Sequence, residues 1–149
     1  MTTKSSHTSG SRFYDILDHE ADIGIRVTGE GLAALFLHAA EAMFDLMVRW
    51  KHPYTSSITV PIQVTGNNRE ELFVNWLSEL LFIYEHRRLV LNHFWIDEID
   101  DRHVSGGAKG MKFDDARHEP EITIKGITYH QLKIEKQNDI YSAQVIFDL

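Results

Sequence analysis

The chain has 149 residues, of which 43% are hydrophobic, and its 15 Lys and Arg residues against 22 Asp and Glu residues give a formal net charge of -7. This length is enough for one domain with a sizeable core, and the acidic balance argues against a protein that holds nucleic acid through bulk positive charge. Because cysteine is absent, disulfides and thiolate zinc sites are excluded, and oxygen or imidazole ligands favour a hard cation such as Ca²⁺, Mg²⁺ or Mn²⁺.

The first twelve residues are polar and are expected to form a disordered tail, whereas residues 13–149 are expected to form a single domain. The tail lacks the apolar middle of a signal peptide, and no run in the chain approaches the roughly 20 apolar residues of a membrane span. We therefore expect a cytoplasmic protein with no membrane partner.

Periodicity predicts the first elements along the chain. Apolar residues alternate with others over residues 23–27, which predicts a strand with one buried face. Over residues 32–47 the apolar spacing is three and four, which predicts a helix. Alternation returns over residues 58–64, but Pro61 cannot donate to a strand ladder, so this strand should be an edge strand or carry a bulge.

A second helix is predicted to begin after Asn68, because Glu71 lies three residues later in a capping-box pattern, and to end near residues 85–88. Short strands are predicted at 89–91, 94–99, 102–108, 122–128, 131–135 and 140–147. Residues 113–121 are predicted to be a polar loop. The pattern favours an α+β fold, a two-layer domain in which two main helices cover a mostly antiparallel or mixed β-sheet.

Two acidic regions are candidates for chemistry. Asp18, His19, Glu20 and Asp22 place three carboxylates and one imidazole within five residues, which indicates either a cation site or a solvated turn. If this segment is extended, its three carboxylates share one face and His19 lies on the other.

The last predicted strand is apolar enough to be internal to the sheet, and Asp148 follows it beside the terminal carboxylate of Leu149. Asp148 could reach water at the rim of the sheet. If it instead lies beside Asp22, oxygen atoms from these three residues would form a small divalent cation site.

Two further residues lie on a predicted strand and have open roles. Lys125 could neutralise nearby carboxylates or contact a partner, although strand lysines are often solvated edge residues. His130 could be a ligand or proton shuttle, or a structural histidine.

Five motifs together make the chain resemble the archease family from residue 13 to residue 149. They are Asp-His-Glu-Ala-Asp-Ile-Gly-Ile (18–25), Trp-Leu-Ser-Glu-Leu-Leu (76–81), Arg-His-Glu (117–119), Lys-Gly-Ile-Thr-Tyr-His (125–130) and Val-Ile-Phe-Asp-Leu (145–149). The resemblance implies a non-catalytic accessory protein that assists an RtcB-type, GTP-dependent RNA ligase in tRNA splicing and RNA repair. It implies faster guanylylation of the ligase, repeated turnover, and contact with RNA only through the ligase.

The resemblance also implies a divalent cation held by Asp22, Asp148 and Leu149, with Ca²⁺ the expected ion in a structure. It assigns Glu119 to a loop glutamate of the family and Lys125 to a family lysine. Asp18, His19, Glu119, Lys125 and His130 are therefore supporting candidates around the site. Two alternative functions are a general protein chaperone, which needs an exposed apolar patch, and a small metal-dependent hydrolase.

Overall fold

The computed structural model describes residues 14–18, 22–52 and 58–149, and the predicted tail over residues 1–12 lies outside them. The elements in chain order are β1 (Tyr14–Asp18), β2 (Asp22–Glu30), α1 (Leu32–Met47), β3 (Val48–Trp50), β4 (Ile58–Thr65), α2 (Arg69–Arg87), β5 (Leu89–Ile99), β6 (His103–Lys112), β7 (His118–Pro120), β8 (Gly126–Gln137) and β9 (Ile140–Asp148).

The strands form a four-stranded sheet in the order β1-β2-β9-β8, a three-stranded sheet in the order β4-β6-β5, and a two-stranded ribbon of β3 and β7. All of these pairings are antiparallel. The predicted α+β class is therefore confirmed. Two finer predictions are confirmed as well, since β4 with its Pro61 is an edge strand and the apolar β9 is internal to its sheet.

Helix α1 begins and ends where its apolar spacing predicts, and it is buried around most of its circumference. It contacts β2 of the four-stranded sheet and β5 of the three-stranded sheet, which explains why so few of its side chains are polar. Where β2 leads into the helix, a Cβ atom on Gly29 would lie 2.4 Å from the backbone nitrogen of Leu35, so only glycine allows this close approach.

The cap predicted for α2 is present, because the Asn68 side chain accepts a hydrogen bond from the backbone N–H of Glu71 at 2.8 Å. The two helices meet through aromatic residues in the core. Trp76 Nε1 donates to the Phe36 carbonyl at 3.0 Å, and the rings of Phe36 and Phe73 pack edge to face at 5.2 Å. In the described part of the chain, no helix combines the length and apolar character needed to cross a membrane.

Several local predictions were wrong. Residues 89–99 form one strand with two register shifts rather than two strands, and residues 122–125, predicted as the start of a strand, are not in one. The predicted polar loop contains the short strand β7, which pairs with the unpredicted β3. In β6, a Cβ atom on Gly106 or Gly110 would lie 2.1 Å from a backbone oxygen of β5, so these glycines allow the bulged β5 to approach closely.

Candidate metal centre

Asp22 and Asp148 meet at one end of the four-stranded sheet, although more than a hundred residues separate them in sequence. Asp22 is the first residue of β2, Asp148 is the last residue of β9, and the antiparallel register places them directly opposite each other. Directly opposed residues in such a pair have Cβ atoms about 4.5–5.5 Å apart. The two carboxylates are therefore close enough to share one bound cation.

The alternation of the strands decides which face of the sheet carries this pair. The neighbouring cross-strand pair, Ile23 and Phe147, is 3% and 0% exposed and belongs to the core on the helix side. Asp22 and Asp148 consequently lie on the other face. Asp148 is exposed, whereas Asp22 is half-buried and its Oδ1 atom is shielded from solvent.

A third strand, β8, begins beside Asp148, and Lys125 directly precedes it. Gly126, the first residue of β8, pairs with Asp148 on the side opposite to β2. The backbone N–H of Lys125 donates to the carbonyl oxygen of Asp148 at 2.7 Å, and the Lys125 residue is exposed. This hydrogen bond fixes the backbone from which the Asp148 side chain and the following residue, Leu149, project.

The acidic segment before β2 is not one extended strand. Asp18 ends β1 and pairs with Ile23, so Asp18 and Asp22 belong to two different strands of an antiparallel pair. His19, a predicted supporting residue, lies outside the described residues, as does the side chain of Asp18. The described backbone therefore places β1 beside β2, the strand that begins with Asp22. It does not show what the side chains of Asp18 and His19 contact.

His130 lies in an interruption of the β8–β9 pairing, where the register shifts between Thr128 and Lys133. Its backbone N–H donates to Thr128 Oγ1 at 3.2 Å, and its side chain is exposed. Thr128 itself pairs with Ile146, two residues before Asp148. The structure thus places His130 on the strand beside the acidic pair, but beyond the part of β8 that borders it.

Glu119 is engaged in the β3–β7 ribbon. It lies opposite Arg49 in the register and forms an ion pair with it, and Arg49 also reaches Glu121 at 3.3 Å. From this ribbon the chain runs along the end of α1, where the backbone N–H of Glu121 donates to the Met47 carbonyl at 2.8 Å, and it then reaches Lys125. The Glu119 side chain is therefore placed in the ribbon with Arg49, six residues before Lys125 along the chain.

His118 anchors this ribbon, a role that the sequence motif did not reveal. Its imidazole is 1% exposed and packs edge to face on Trp50, with ring centroids 4.4 Å apart. His118 Nδ1 accepts the backbone N–H of Asp114 at 2.9 Å, so Nε2 carries the proton in the neutral ring. Burial lowers the pKa of His118 below 6.5, against the opposing effect of Asp114.

The donor set of the acidic pair is chemically suited to a divalent cation. Two like charges directly opposite each other on neighbouring strands repel, and a cation between them removes that repulsion. Within the described ranges, no three His, Asp or Glu side chains converge closely enough to enclose a metal ion. Asp22 and Asp148 by themselves would leave positions around such a cation for further oxygen ligands.

Sequence comparison identifies a family over nearly the whole described chain. The model of the archease protein family (MTH1598/TM1083) matches residues 14–149. The archease of Pyrococcus furiosus is 36% identical over 142 residues, which cover 93% of this chain and 99% of the relative. The archease of Methanosarcina barkeri is 34% identical over 146 residues, with 95% and 99% of the two chains covered.

Solved structures of similar proteins have the same fold. The solution structure of Methanobacterium thermoautotrophicum protein 1598 matches with a TM-score of 0.75 and 30% identity, over 92% of this chain and 99% of the other. The crystal structure of a Thermotoga maritima archease, described as a possible chaperone, matches with a TM-score of 0.63 and 16% identity over 93% and 99%. At this lower identity the second match concerns the fold alone.

Proposed function

Because the chain belongs to the archease family, we propose that it is a non-catalytic accessory protein that activates an RtcB-type, GTP-dependent RNA ligase. In this proposal it acts in the cytoplasm, promotes guanylylation of the ligase and repeated turnover, and reaches RNA only through the ligase. A divalent cation at Asp22, Asp148 and Leu149 takes part in this activation. The single observation that carries the metal site is the direct cross-strand pairing of Asp22 with Asp148.

Each residue of the site has a separate task in this proposal. Asp148, the more exposed carboxylate, presents oxygen ligands toward the partner, and Asp22 supplies the shielded side of the site. Leu149 contributes oxygen from the chain immediately after Asp148. Lys125 holds the Asp148 backbone through its N–H group and carries a positive side chain for an anionic group of the partner.

The number of protein ligands indicates how such a site works. If each of the two aspartates and Leu149 binds through one oxygen, they supply fewer than the six to eight oxygen ligands of Ca²⁺ or the octahedron of Mg²⁺, so the coordination shell stays open on the exposed side. A bound cation would there supply positive charge to phosphate oxygens at the interface with the ligase. The net charge of -7 on this chain suits transient docking on a protein that itself binds RNA, because such a partner presents a basic surface.

A ligase assay with purified proteins tests this function. We expect the wild-type protein to raise both ligase guanylylation and the number of RNA ends joined per ligase. Asp22→Asn and Asp148→Asn should retain the fold, because asparagine has nearly the same shape, but should lose most of the stimulation. Asp139→Asn is the matched control, since it removes one acidic charge from an exposed position at the opposite end of β9 and should stimulate as wild type does.

Two results would contradict the proposal at different levels. Full stimulation by both folded asparagine variants would refute the metal site and leave the ligase function standing. No stimulation of any RtcB-type ligase by the wild-type protein would refute the function itself. A short Gly-Ser extension after Leu149 should weaken cation binding, measured by calorimetry with Ca²⁺, Mg²⁺ and Mn²⁺, more than the same extension at the start of the chain.

The same preparations distinguish the two alternative functions. A general chaperone would suppress aggregation of unrelated proteins, and it needs a continuous apolar surface. Among the described residues, the exposed large apolar side chains are Phe82, Tyr129 and Ile140, which lie on three different elements. A metal-dependent hydrolase would instead cleave phosphoesters without the ligase, so the isolated protein should be assayed for that activity.

A further inference from the structure

A small crevice lies away from the acidic pair, between α1, β3 and the bulged part of β5. Its volume is about 140 Å³, and its apolar walls include Phe44, Trp50 and Phe94. Its polar lining consists of Glu41 and Asp45 from α1 and Asn92 from β5. The β5 register shifts between Leu91 and His93, which leaves Asn92 as an extra residue facing the crevice.

Neighbouring rings hold the aromatic walls in place. Phe44 packs edge to face on Tyr84 with ring centroids 5.8 Å apart, and it lies 5.6 Å from Phe94. Trp50 is held against the buried His118 ring at 4.4 Å. Phe44 and Phe94 are 5% and 6% exposed, so the walls are part of the packed core rather than mobile surface groups. The crevice is therefore largely formed before any ligand enters.

The carboxylates of the crevice give it a negative charge. Glu41 and Asp45 are one helical turn apart on α1, an arrangement in which like charges repel. The Tyr14 hydroxyl donates to Asp45 Oδ2 at 2.7 Å and fixes the position of that carboxylate. Burial raises the pKa of Glu41, while His38 and His93 act in the opposite direction, so the carboxylate gains from a nearby cation.

We propose that this crevice binds the guanidinium group of an arginine side chain from a protein partner. Aromatic faces beside carboxylates are the environment that a planar guanidinium prefers, because it stacks and donates paired hydrogen bonds at once. The volume of about 140 Å³ is below the roughly 300–1,000 Å³ of small-molecule pockets and suits one side chain. The inference rests on the proposed function for the identity of the partner, the RNA ligase, because a protein that binds RNA uses arginine and lysine side chains to do so.

The crevice can first be probed without the ligase. N-acetyl-arginine amide should shift the indole NMR signal of Trp50 and the amide signal of Asn92, whereas N-acetyl-norleucine amide at the same concentration should not. Glu41→Gln should abolish these shifts. Their absence in the wild-type protein would overturn the proposal. An equal response to N-acetyl-lysine amide would overturn the arginine assignment in favour of any cationic side chain.

Titration with the ligase then separates docking from activation. Glu41→Gln and Asp45→Asn should weaken ligase binding on the order of tenfold each, while stimulation at saturating concentration stays at the wild-type level. Asp148→Asn should instead reduce the stimulation even at saturating concentration. Glu98→Gln, an exposed acidic residue on β5 away from the crevice, is the matched control and should bind as wild type does.

The outcomes distinguish the crevice from the proposed function. Wild-type affinity in both Glu41→Gln and Asp45→Asn would refute the crevice as a docking site even if the ligase is stimulated. If no ligase binds, the proposed function fails, and the arginine amide titration still decides whether the crevice recognises guanidinium. Deletion of residues 1–12, which include Lys4 and Arg12, should leave ligase affinity unchanged; a gain in affinity would identify this segment of the chain as the occupant instead.

Discussion

Removing one charge from the acidic pair should change stability in opposite directions with and without a divalent cation. Asp148→Asn deletes the carboxylate opposite Asp22 and keeps the backbone carbonyl that accepts the Lys125 N–H. Two unit charges about 5 Å apart in water repel by about 0.8 kcal/mol, and opposed like charges in sheets cost about 0.2–1 kcal/mol. In chelator, the free energy of unfolding of the variant should therefore exceed that of wild type by about 0.5 kcal/mol, or roughly 2 °C in Tm.

With cation present the order should reverse. A cation at a hundredfold excess over its Kd stabilises the wild-type protein by about 2.7 kcal/mol, whereas the variant has lost one of its two carboxylate ligands and should gain much less. Asp139→Asn is the control, because it makes the same change in net charge roughly 30 Å along β9, beyond the Debye length of about 8–10 Å. It should follow the wild-type protein in both conditions.

Urea denaturation followed by far-ultraviolet circular dichroism measures these free energies, in chelator and then in millimolar Ca²⁺, Mg²⁺ or Mn²⁺. A crossing of the wild-type and Asp148→Asn stabilities between the two conditions is the expected result. The reasoning is refuted if the variant is less stable in chelator and gains as much from each cation as the wild-type protein. That result would mean that Asp148 contributes through structure rather than through its charge at a cation site.

Three further substitutions test other parts of the fold by urea denaturation. Asn68→Ala removes the cap of α2 and should lower the free energy of unfolding by about 1 kcal/mol, with unchanged stability contradicting the role of the cap. Gly106→Ala places a Cβ atom 2.1 Å from the Trp95 carbonyl oxygen and should cost about 1–3 kcal/mol, whereas Gly126→Ala, which meets nothing within 4 Å, should cost far less. Because the pKa of His118 is lowered by folding, its neutral form stabilises the protein above pH 6.5, and that stability is lost as the pH falls through the folded pKa. The free energy of unfolding, measured from about pH 5 to 7.5, should therefore depend less on pH in His118→Gln than in the wild-type protein, by up to about 1.4 kcal/mol per pH unit. Equal slopes in the two proteins would exclude this contribution of His118.

The sequence predicted those parts of the fold that local forces determine. The α1 bounds follow from apolar spacing alone, and the start of α2 follows from Asn68 and Glu71, whose hydrogen bond the structure contains. The three-residue strands β3 and β7 are too short to show a period, and they form because the chain directly after α1 pairs with the segment around the buried His118. Such pairings between distant segments leave no local pattern to read.

The candidate site could be predicted only in part, because it combines a local strand pattern with a pairing between distant segments. Alternation along β9 predicted an internal strand ending in Asp148, but which strand lies beside it depends on the sheet order. The residues alone therefore gave the pairing with Asp22 only as a condition, and the resemblance to a family made it an expectation. The proposed arginine crevice has a sequence signal of its own, because Glu41 and Asp45 are the acidic residues of an otherwise nearly apolar helix and lie one turn apart. Their partner Asn92 could not be predicted, because a bulge in β5 brings it there.

The position of β9 in the middle of its sheet also constrains how the protein is made. The pairs β1–β2 and β8–β9 are local hairpins, and the seam between β2 and β9 joins segments from opposite parts of the chain. During synthesis β2 exposes an unpaired edge until β9 has emerged more than a hundred residues later, so the β2–β9 pairing forms late and the nascent chain carries an aggregation-prone strand until then. Slow translation through β8 should therefore reduce the yield of folded protein more than slow translation through β1.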